Sequence, residues 1–189
     1  MEALWTLLGF QEKTASSKGA RTAHALPETE SVLKIVKALE GLEPVEARFL
    51  AAFAYLLTRV ADADRGISHD ERQTIEEILC DKGKLMAEHA ALVAEIARNQ
   101  TTLFGSTENF LVGREFDRIA THEQKIALLH CLYAVSAADK SISSVEDHEI
   151  RKISRELRLS HEDYISVRLA YREHLEVLKK LPGSSPTNT

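Results

Sequence analysis

Two short acidic segments hold the side chains best suited to chemistry in this sequence. Asp62 and Asp64 stand in VADADRGISHDE, and Asp139 stands in VSAADKSISSVE. Carboxylates beside loop carbonyls are hard oxygen donors, the ligand type that suits Ca²⁺, Mg²⁺ or Mn²⁺. Asp64 and Asp139 each fall near the C-terminal end of an expected helix, where negative charge opposes the helix dipole. Three readings are open for them: an Asx-turn in which the carboxylate accepts loop amides, a bound cation, or a basic segment of a partner. Asp62 adds a second acid to the first loop. A standard EF-hand is excluded. Counted from Asp62, the sixth place needs Gly and holds Ile67, and the twelfth needs a bidentate Glu and holds Gln73.

The glutamates that follow have a structural explanation. Ser68 to Glu71 and Ser143 to Glu146 are both S-x-x-E, the capping box of a helix start. Thr121 with Gln124 and Ser160 with Asp163 repeat the device. Among the eight histidines no H-E-x-x-H occurs. Asp147, His148 and Glu149 form a polar patch open to a transition metal. His130 is expected as a satisfied core histidine, while His69, His122 and His161 fall at helix starts in solvent. Adjacent helical residues do not face each other, so His130 and Cys131 make no dyad. Cys80 and Cys131 lack CxxC partners and are expected as small buried apolar residues in a reducing compartment. No phosphate loop, nucleophile elbow or kinase signature is present, and no enzymatic activity is expected.

The elements that position the acids repeat. VADADRGISHDERQTIEEI from Val60 and VSAADKSISSVEDHEIRKI from Val135 share eight of nineteen positions at an offset of 75 residues. Such self-similarity points to a duplicated unit of long helix, tight loop, capped helix and third helix. Ile67 and Ile142 precede the Ser caps as staples. Ile75, Ile78, Ile150 and Ile153 form a buried stripe.

The pattern along the chain predicts all-α structure, a compact helical bundle. Residues 1–30 read as a short amphipathic helix over Met1 to Phe10 and a linker. Residues 31–181 read as the helical domain, and 182–189 as a polar tail. Helices are expected from about residue 29 to Gly41, Val45 to Ala63, Ser68 to Leu79 and Leu85 to Arg98. Loop is expected from Asn99 to Gly113, with one helical turn near Phe110 and a short helix at Phe116 to Ile119. Further helices are expected from Thr121 to Ala138, Ser143 to Leu157 and Ser160 to Leu178. Pro44 sits where a helix tolerates a missing N–H.

With these residues in place, the two loops resemble the paired A-D-G-x-I-x-x-x-E loops of the tellurite-resistance TerB-like family. The stretch Tyr164 to Leu178, with Arg168 and Arg172, is similar to the closing helix of a bacterial branch of that family. The resemblance covers about Glu43 to Leu178. It implies a helical fold, and a metal site, because the family's acidic clusters have been proposed to bind metal ions. Carried over position by position, it implicates Asp64, Glu71, Asp139 and Glu146. The family's Gly after Asp is replaced by Arg65 and Lys140, with Gly66 one place later in the first loop. Each substitution puts a cation beside an acid.

Bulk properties narrow the functions. The chain has 189 residues, net charge −5 and 6% aromatic residues. It carries no basic stripe and few stacking side chains, so nucleic acid is not an expected partner. The apolar N-terminus is too short for a membrane span and lacks a signal peptide's basic start and cleavage site. It is too weakly basic to favour membrane attachment. The cytoplasm is the expected compartment. The resulting expectation is a non-enzymatic protein that binds a divalent cation (Ca²⁺, Mg²⁺ or Mn²⁺), related to metal or oxyanion stress, with no other cofactor. The alternative is a metal-free interaction or scaffold module that joins a protein partner or its own copies through Asp62, Asp64 and Asp139.

Overall fold

The segment PVEARFLAAFAYLLTRVA is apolar on almost every side, and that fixes its place in the molecule. A helix without a polar face must be surrounded. In the computed structural model, which describes residues 39–61, 72–98, 109–138 and 140–179, this segment is the helix α1, Pro44–Ala61. From Leu50 to Thr58 every residue is buried. Its three alanines in that run, Ala51, Ala52 and Ala54, let neighbouring helices approach closely. Thr58, polar and buried, turns its hydroxyl back to the Ala54 carbonyl at 2.9 Å.

Around α1 stand α3 (Ala87–Arg98), α4 (Asn109–Ile119), α5 (His122–Ser136) and α6 (Ser144–Glu156). Helix α2 (Arg72–Asp81) packs on α3 and α5, and α7 (His161–Ala170) packs on α5. A 3-10 turn, Arg172–His174, and a short α8, Glu176–Lys179, follow. Aromatic rings lock α4 onto α1. Phe116 stacks on Phe49 at 5.1 Å and meets Phe53 edge-on at 6.0 Å. The described residues are helical apart from turns, with one isolated bridge between Ile142 and Leu175. The fold is therefore all-α, as the periodicity predicts.

Helices α5, α2 and α6 close at Ser136, Asp81 and Glu156. Ile75, Ile150 and Ile153 are buried and Ile78 is partly so, as the stripe requires. All three capping boxes within the described residues form, at Thr121, Ser143 and Ser160.

Two predicted elements differ. The described part of the loop expected from Asn99 to Gly113, from Asn109 onward, and the short helix after it are one helix, α4; the rest of that loop lies outside the described residues. Gly113 does not break it, because the glycine serves packing. A Cβ there would strike the Glu156 carboxylate and lie 3.0 Å from its Cβ. The helix expected from Ser160 to Leu178 ends at Ala170. Beyond it, tertiary bonds outweigh local helix preference. Tyr171 stacks on Tyr133 at 5.5 Å, Leu175 is fully buried, and the backbone of His174 and Glu176 bonds to Ile142 instead of continuing the helix.

Candidate functional site

The second acidic loop is held on both sides of Asp139, which itself lies outside the described residues. Before it, Ala137 closes α5 in helical geometry, its N–H bonding to the Tyr133 carbonyl at 2.9 Å. After it, Lys140 takes a left-handed conformation, φ 70°, and its N–H bonds to the Ala137 carbonyl at 2.8 Å. A non-glycine residue there is uncommon. Ile142 then donates to the His174 carbonyl at 2.8 Å and accepts from the Glu176 N–H at 3.1 Å. The Ser141 hydroxyl donates to Glu176 Oε1 at 3.1 Å. Thus the C-terminal segment grips the loop from outside.

Of the acids named from sequence, Asp62, Asp64 and Glu71 also lie outside the described residues, and Glu146 lies within them. Glu146 caps its helix. Its Oε2 accepts the Ser143 N–H at 2.8 Å, and its own N–H donates to Ser143 Oγ at 3.2 Å. The side chain is almost buried. As a ligand for a cation it fits poorly, because one oxygen already serves the cap. Among the described residues no group of three or more His, Cys, Asp and Glu is placed to hold a metal ion.

The patch of Asp147, His148 and Glu149 separates into three environments. Asp147 turns towards α7 and α5. Arg168 grips it bidentately, Nε to Oδ1 at 2.9 Å and Nη2 to Oδ2 at 2.8 Å, while the Tyr133 hydroxyl donates to Oδ1 at 2.9 Å. Burial alone would raise the Asp147 pKa, but the hydrogen bonds from Arg168 and Tyr133 outweigh it and hold the carboxyl below its usual range. Burial raises the Tyr133 phenol, and the neighbouring Tyr164 and Asp147 raise it further. Glu149 turns towards α1 and joins Arg59 at 2.6 Å, with Lys152 at 3.1 Å on its other oxygen. Glu156 completes this second network, 2.7 Å from Arg59 Nη1. His148 is left exposed. The separation follows from helical geometry, since residues one and two apart point in different directions.

Neither arginine network is flagged by a motif. The available signal is Arg59 itself, a cation inside the most apolar helix of the chain, which requires a buried acid opposite. The other titratable residues match expectation. His130 is half-buried with Nδ1 3.3 Å from the Tyr171 hydroxyl, and burial lowers its pKa. His122 and His161 are exposed at helix starts, and His69 lies outside the described residues. Cys131 is buried, its thiol pushed up to about 12 chiefly by burial, and Cys80 is partly buried.

No helix among the described residues is long and apolar enough to cross a membrane. No curated protein and no solved structure matches the chain. A family model described as "Tellurite resistance protein TerB" matches residues 49–169, a span that contains both acidic loops and most of the helical core. The chain therefore belongs to the TerB family of tellurite-resistance proteins.

Proposed function

We propose that this chain is a non-catalytic binding protein related to tellurite resistance, and that its paired loops take a divalent cation through Asp64 and Asp139. The supporting observation is the fixed backbone on both sides of Asp139. The Lys140 turn and the Ile142 bridge are already ordered, so gathering oxygen ligands there costs less conformational entropy. The aspartates are the ligands in this reading. Glu146 caps its helix. Ca²⁺, Mg²⁺ and Mn²⁺ are the candidate ions because the donors are hard oxygens.

Thermal unfolding of the full chain in millimolar CaCl₂, MgCl₂ or MnCl₂ tests this. A ligand that binds only the native state stabilises it by about 2.7 kcal/mol at a hundredfold excess over Kd. The melting point should rise with one of these ions, and Asp64→Asn with Asp139→Asn should abolish the rise. Glu146→Gln should preserve it, since a Gln at the same helix position caps equally well. Gln124 does so, its Oε1 accepting the Thr121 N–H at 2.8 Å. No rise with any ion would overturn the cation reading. Loss of the rise in Glu146→Gln would return Glu146 to the ligand set.

A second reading, a metal-free module that binds a protein partner or a second copy of itself, has its own support. Val45 and Met86 are exposed at 55% and 64%, and both line one groove with Phe49 and Leu85.

A further inference from the structure

We infer that the groove between α6 and α7 is a binding site for a phosphate-type oxyanion. It shares Ser144 with the second acidic segment but does not rest on the cation reading. Ser144, Asp147, His148 and Arg151 recur at intervals of three, one and three along α6, and His161, Tyr164, Ile165 and Arg168 do the same along α7. That spacing puts each set on one helix face. The two faces line an open groove of about 410 Å³, with Val177 also in its wall.

The floor of the groove is already neutral. Asp147 is the one acid among its lining residues, and both of its oxygens are taken by Arg168, with Tyr133 donating to one of them. What remains is cationic or donating. Arg151 is exposed, and among the described residues no hydrogen bond or ion pair engages its guanidinium. It offers five N–H donors in a plane that matches phosphate oxygens. His148 stands one turn away on the same wall, His161 stands on the opposite wall, and the Ser144 hydroxyl is a further donor. A planar carboxylate would be satisfied by Arg151 alone. A tetrahedral anion has acceptors to engage both walls at once, which is why phosphate is the class assigned. Ile165 and Val177 supply apolar surface for the carbon part of an ester. All this sits in a chain of net charge −5, where long-range attraction for anions is absent and a local constellation must do the binding.

The test is an NMR titration of the full chain with inorganic phosphate and with phenyl phosphate, against sodium chloride at matched ionic strength. Saturable shifts are expected at the His148, His161 and Arg151 side chains, with a Kd on the order of 1 mM. Arg151→Gln should weaken binding about tenfold, the loss of one charged anchor. Its melting point without phosphate should stay within roughly a degree or two of the parent's, because an exposed side chain contributes little to stability. Equal affinity for the two ligands assigns the free anion, and tighter phenyl phosphate assigns an ester that uses Ile165 and Val177. The inference is overturned by non-saturating shifts up to about 20 mM phosphate, by chloride producing the same shifts, or by Arg151→Gln binding as the parent does.

Discussion

Helix α6 carries two arginine–carboxylate networks on opposite sides, and they differ in what they hold. On the inner side, Arg59 of the central helix joins Glu149 and Glu156, and its side chain is only 7% exposed. On the outer side, Arg168 of α7 and the Tyr133 hydroxyl both donate to Asp147, and the Arg168 side chain is 19% exposed. The inner network ties α6 to the core helix that touches most of the molecule. The outer network ties down one peripheral helix and forms the floor of an open groove. The same chemical pair thus serves the fold in one place and shapes a surface in the other, and burial decides which.

Removing each arginine should separate them. Arg59→Met leaves two nearly buried carboxylates facing an apolar chain. Breaking a buried pair from one side costs about 3–5 kcal/mol, so the urea midpoint should fall steeply with an unchanged m-value. Arg168→Met leaves Asp147 with the Tyr133 bond and nearby solvent, and should cost about 1–3 kcal/mol. Hydrogen exchange should then quicken first in α7, while α1 keeps its protection. Equal losses in the two variants, or fraying of α1 in Arg168→Met, would erase the distinction.

A smaller perturbation reaches the inner network from the other helix. Gly113→Ala improves helix propensity by about 1 kcal/mol, yet its methyl would collide with the Glu156 carboxylate. The collision displaces the group that Arg59 grips, so a net loss of about 1–2 kcal/mol is expected. In an Arg59→Met background much of that loss should vanish, because Glu156 is then free to move; a double-mutant cycle reads this directly. Stabilisation by Gly113→Ala in the parent would show that the close approach is not needed.

Gly113 also shows where sequence reading succeeds and where it stops. The helix caps at Thr121, Ser143 and Ser160 were legible because a cap is local: the donor and acceptor lie three residues apart. The buried isoleucines were legible because their spacing is helical. The run through Gly113 reads as loop in the sequence, since a glycine's reason for being small lies on α6, forty-three residues later at Glu156. The break at Ala170 has no local signal for the same reason, as the bonds that end the helix come from Ile142. Of the site, the capping role of Glu146 was legible. The partners of Asp147 and Glu149 were not, because sequence order places the two acids together and the helix turns them apart.

The least disruptive comparison is made with pH. The pKa values of Asp147 and Glu149 are both lowered in the folded chain: burial pushes each up, and the arginine hydrogen bonds more than reverse it. The ordinary values are 3.8 for Asp and 4.5 for Glu. A carboxyl with a depressed folded pKa stabilises the protein fully above its ordinary value. That contribution is lost as pH falls through the folded value, because the unfolded chain binds the proton first. Stability should therefore decline with acid below about pH 4.5, with no change of slope from these groups near neutrality. Asp147→Asn should flatten the part of the decline below about pH 4 that belongs to the outer network, and Glu149→Gln the part that begins slightly higher. Both slopes come from urea midpoints measured every half unit of pH. If Asp147→Asn leaves the acid slope unaltered, Arg168 does not hold Asp147 in its ionised form, and the neutral floor assigned to the groove is wrong.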